Sequence, residues 1–111
     1  MAGYFTVTIE WPPASAPAVR TAGEAVVTTE VISGGGCKGS VALEYTCEAT
    51  GGGVDPDLSK TTDSVFIDNG TDGSSSVKIT GDPGQVVELT VEGTHPLCGY
   101  DTDSKTITLG A

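Results

Sequence analysis

His95 is the only histidine in the chain, so a Ser-His-Asp or Cys-His relay would have to run through it. Cys98 is the closest cysteine in sequence, three residues further on in the segment Thr94-His95-Pro96-Leu97-Cys98-Gly99. No serine occupies a Gly-x-Ser-x-Gly elbow. A nucleophile and its base react only when a rigid frame holds them, and a loop pair has no such frame. Glu44 and Glu48 fall on one face of one strand, whereas a glycosidase needs two carboxyl groups facing each other across a cleft. The expectation is a protein that is not an enzyme. His95, followed by Pro96, reads as a surface loop residue, and together with Trp11 and Tyr100 it is a candidate for contact with a partner, because aromatic rings supply large rigid contact areas; Trp11 shares the apolar face of its strand and reads first as core or edge packing, which leaves Tyr100 the better contact residue.

Hard cations need several oxygen ligands from a short segment, and Asp68-Asn69-Gly70-Thr71-Asp72-Gly73 offers some of them. An EF-hand would place an oxygen ligand where Gly70 stands and a Glu where Ile79 stands, so that motif fails. A looser calcium set of Asp68, Asp72, Asp101 and Asp103 requires the turn and the last loop to meet at one end of the fold; solvated turn aspartates are the plainer reading. Asp55, Asp57 and Asp63, with Glu48 near them, form a second acidic cluster that reads as a solvated loop or a site for a cationic partner. Cys37, Cys47 and Cys98 have no Cys-x-x-Cys spacing, which argues against zinc. No cofactor is expected. Asn69-Gly70-Thr71 matches the glycosylation sequon but serves equally as a tight turn.

The elements that must hold these residues are strands. Sixteen Gly, sixteen Thr and twelve Val stand against five Leu and one Gln, a balance that favours strands and turns over helices. Period-2 alternation marks seven segments: Tyr4 to Trp11, Glu24 to Ser33, Ser40 to Ala49, Ser64 to Asp68, Ser74 to Thr80, Gln85 to Glu92 and Lys105 to Leu109. Pro12 and Pro13 end the first, and residues 12–22 read as a surface connection. The longest stretches without a period are 50–63 and the loop 93–104.

At 111 residues the chain has the length of one domain, residues 1–111, with a core large enough to stand without a metal. Fifteen acidic against five basic residues give a formal charge of -10, which repels nucleic acid and anionic lipid. No apolar run is long enough to span a membrane, and the opening residues lack the basic start and apolar stretch of a signal peptide.

Seven strands with turn signals between them, together with segments such as TAGEAVVTTEV (21–31) and PGQVVELTVEG (83–93), resemble the immunoglobulin-like and fibronectin-type domains of bacterial surface and phage virion proteins. The resemblance implies an all-β, antiparallel, seven-stranded sandwich with Greek-key connections. The chain departs from antibody domains in carrying its only Trp in the first strand and its Tyr45-Thr46-Cys47 in the third. In such a sandwich the start of the third strand and the loop before the last strand share one end. Cys37 and Cys98 are then neighbours and candidates for a disulfide, with three free thiols as the alternative, and Cys47 belongs at the far end. The implied function is a structural or interaction module, a virion decoration or tail accessory protein bound to a larger protein assembly. The rival is an extracellular or cell-surface adhesin-type or carbohydrate-binding module, stabilised by calcium. Either reading leaves homo-oligomerisation open.

Overall fold

The computed structural model describes residues 4–11, 21–68 and 71–111. Among them are eight strands and no helix: β1 (Tyr4–Glu10), β2 (Glu24–Gly34), β3 (Gly39–Ala49), β4 (Asp57–Leu58), β5 (Thr62–Ile67), β6 (Gly73–Thr80), β7 (Val86–His95) and β8 (Gly99–Thr108). They form two antiparallel sheets of strand order β1-β2-β6-β4 and β5-β3-β7-β8.

The alternation that defines each strand also defines the core. Phe5, Val7 and Ile9 from β1 point inward with Val27 and Val31 from β2 and Val77 and Ile79 from β6. They meet Val41, Leu43 and Tyr45 from β3, Val87, Leu89 and Val91 from β7, and Ile107 from β8. Because side chains alternate with a period of two, each strand gives one face to this interior and one to water. Gly93 lies inward on β7, where an added Cβ would stand 2.8 Å from Val7 and 3.0 Å from Phe5. Glycine here lets β1 of one sheet close onto β7 of the other.

The structure corrects the expected count of seven strands. Residues 50–63, expected as one loop, contain the two-residue β4 paired with β6, and β5 begins within them at Thr62. The expected loop 93–104 is mostly strand: β7 runs on to His95, β8 starts at Gly99, and only 96–98 turn. The inward positions near the start of β8 hold Asp101 and Asp103 rather than apolar residues, so the pattern that announces a strand is missing there. The Pro12-Pro13 stop and the Asn69-Gly70 turn lie outside the described residues; the flanking Asp68 and Thr71 exchange backbone hydrogen bonds of 3.1 and 2.7 Å.

Candidate functional site

One end of the molecule, called the tip here, carries the turns after β2 and β7. The structure joins them through Cys37 and Cys98, whose sulfurs are bonded with Cα atoms 6.0 Å apart. His95 packs against this link. Its Nε2–H donates to the Lys38 carbonyl at 2.9 Å, and Nδ1 accepts from the Leu97 and Cys98 N–H groups at 3.0 and 3.1 Å. This pattern selects the Nε2–H tautomer and uses both ring nitrogens. The expectation of a surface His95 is therefore corrected: it is buried, 6% exposed, because it ends a strand and organises the turn that follows. Cys37, His95 and Cys98 bring their ligand-type atoms within 4.8 Å of one another, yet as they stand they present no thiolate and no unengaged ring nitrogen.

The tip also gathers exposed apolar side chains. Tyr4 and Ile32 lie on the outer face of the β1 sheet, Phe66 and Tyr100 on the outer face of the β8 sheet, and Leu97 on the turn between β7 and β8. These are five of the eight exposed large hydrophobic residues among those described, and Leu97 is 74% exposed. The Tyr4 ring lies flat over Gly34, where any Cβ would collide with it at 2.3 Å. Trp11 is half-buried against the core at the opposite end, the packing that its place on the apolar face of its strand implies.

The four aspartates proposed for calcium do other work. Asp101 Oδ2 accepts the Val7 N–H at 2.7 Å and Asp103 Oδ2 accepts the Ile9 N–H at 2.8 Å. These N–H groups point away from β2, from the outer edge of β1, and the carboxylates reach them from β8 of the other sheet. Asp72 accepts the Ser33 N–H at 3.1 Å, and Asp68 stands 3.8 Å from Lys38 Nζ. The structure does not bring the four together as a metal-ligand set.

On the opposite side of the layers, Tyr45 Oη donates to Ser75 Oγ at 2.6 Å, and Ser75 Oγ donates to Asp63 Oδ2. Lys60 Nζ donates to the same oxygen at 2.9 Å, and the Ser64 N–H reaches Oδ1 at 2.8 Å. The Ser75 hydroxyl, then Lys60 and the Ser64 amide, hold the Asp63 carboxyl down at about 2. The chain ties β3 and β5 of one sheet to β6 of the other. Composition hides it, but Ser75 and Asp63 occupy inward positions of their strands, the signal by which they could be found.

Further along this side, away from the tip, β3 outruns β5. The Tyr45 N–H still reaches the Thr61 carbonyl at 2.8 Å, after which residues 50–58 cross to the other sheet as β4. The gap is a groove of about 500 Å³. Buried Tyr45 and Cys47 and half-buried Leu58 form its floor, and exposed Glu48, Asp55 and Asp57 its rim. Cys47 is a free, buried thiol. Burial, then the charges of Asp55 and Glu48, push it up to about 11, so it is a poor nucleophile.

No family model matches the chain, and neither a curated protein nor a solved structure matches it.

Proposed function

We propose that this chain is a non-catalytic interaction module with an immunoglobulin-like β-sandwich topology, and that it docks on a larger protein assembly through its disulfide-tethered tip. The supporting observation is the gathering of Tyr4, Ile32, Phe66, Leu97 and Tyr100 at one end. Exposed apolar side chains scattered singly mean little, but several together around a rigid turn make a docking rim. The strand order, with β3 paired to β7 and β2 to β6, is compatible with a Greek-key sandwich and supports the immunoglobulin-like assignment. A virion, as a decoration or tail accessory part, is the setting we favour.

Lysine-directed cross-linking of the native assembly tests this. Lys38 stands at the tip, 67% exposed, while Lys78 and Lys105 lie nearer the other end. Intermolecular links should concentrate on Lys38, and the L97D/Y100D double variant should stay folded but leave the assembly. Links confined to Lys78 and Lys105, or full retention of the variant, would contradict the reading.

The Cys37–Cys98 bond favours a second setting, the cell surface as an adhesin-type module, since disulfides persist in oxidising compartments.

A further inference from the structure

The groove at the end of β3 is a gap in a sheet, and its backbone is the notable part. In an antiparallel ladder, alternate residues direct their N–H and C=O to the same side. Since the Tyr45 N–H points toward β5, the Cys47 N–H and C=O point the same way, into the groove, where β5 no longer runs. Cys47 pairs only with Leu89, on the opposite side. Elsewhere the molecule covers edge N–H groups with aspartates: Asp101 on Val7, Asp103 on Ile9, Asp63 on Ser64, and Asp55 on Ala49 at 3.0 Å. Among the described residues none covers the Cys47 N–H, one step along the same edge from Ala49.

The geometry points to a strand-addition site: an extended, lysine- or arginine-bearing segment of a partner protein pairs with β3 at Cys47, continuing the line of β5. Backbone hydrogen bonds to Cys47 supply the register, as in other cases where a peptide completes a sheet edge. Alternate side chains of the guest face Tyr45, Cys47 and Leu58, which calls for small apolar residues there. The others meet Glu48, Asp55 and Asp57, three carboxylates without a basic residue among the groove's lining, which calls for cations. The volume lies within the roughly 300–1,000 Å³ of ligand-binding clefts. This site lies away from the tip and does not depend on the function proposed for it.

The test is a titration of the ¹⁵N-labelled protein with a capped hexapeptide of alternating valine and lysine, compared with its valine–glutamate counterpart and with a lysine peptide N-methylated on alternate amides. Saturable shifts should appear at Thr46, Cys47, Glu48 and residues 55–58, and Cys47 amide exchange should slow by at least about tenfold at saturation. The glutamate and N-methylated peptides should fail to do this. The E48Q/D57N variant, which alters two exposed side chains, should keep its melting temperature and weaken binding about fivefold. Absence of a saturable Cys47 shift up to about 5 mM lysine peptide would overturn the proposal. So would equal binding of the N-methylated or glutamate peptide, or dilution-dependent shifts at the same residues in the protein alone, which would make a second copy of the chain the occupant.

Discussion

The two open sides of the layered structure differ in how they are closed. On the β1/β8 side, Asp101 and Asp103 leave the interior line of β8 and take the outward N–H groups of β1, so the edge of one sheet is capped by side chains of the other. On the β5/β6 side, Tyr45, Ser75 and Asp63 tie the sheets together near Asp63, and beyond that the wall opens into the acidic groove. A sheet edge is a liability because it can pair with any extended chain, and inward-pointing charged residues are one way to block it. The contrast separates an edge that is closed from one that is left available.

Removing the caps should have the largest effect. In the D101A/D103A double variant two partly buried N–H groups lose their acceptors, and we expect a loss of about 2–4 kcal/mol in chemical denaturation, with faster amide exchange at Val7 and Ile9. D101N/D103N keeps a carbonyl acceptor at each place and should lose less. On the other side, Ser75→Ala strands the buried Tyr45 hydroxyl and removes a donor from Asp63, for an expected loss of about 1–3 kcal/mol. Adding Tyr45→Phe to Ser75→Ala should cost less than Tyr45→Phe alone, since the two hydroxyls are partners; additive losses would show that they act independently.

The pH dependence sharpens the same comparison. The Asp63 carboxyl is lowered from 3.8 to about 2 in the folded chain, so its contribution is fully present above about pH 4 and is lost as pH falls through about 2. Asp63 is partly exposed, and solvent screening reduces the expected size to about 1 kcal/mol. Denaturation midpoints of wild type and Asp63→Asn should converge between pH 4 and pH 2; a constant gap would contradict the assignment. The smallest change runs the other way. Thr29 is fully buried and its Oγ1 has no hydrogen-bond partner among the described residues, so Thr29→Val should stabilise the protein by up to about 1 kcal/mol in a thermal melt.

The alternation in Tyr4–Glu10 and Gly39–Ala49 made the core strands legible, because apolar residues recur there at every second position. The closing devices were not legible for the same physical reason. Asp101, Asp103 and Asp63 occupy inward positions, so they break the period that reveals strands and read as loop acidity. The burial of His95 is not legible locally, because the ring is held by the Lys38 carbonyl, 57 residues away in sequence. The groove follows from a pairing that stops at Thr61, which depends on where the chain crosses between sheets.

Residue-resolved native-state amide exchange of the intact protein tests the account most directly. Val7 and Ile9, capped by aspartates, should exchange slowly although they lie on a sheet edge, whereas Cys47, near the end of β3 and paired with β7, should exchange much faster than Leu43 of the same strand. Fast exchange at Val7 and Ile9 together with a Cys47 amide as protected as that of Leu43 would contradict it.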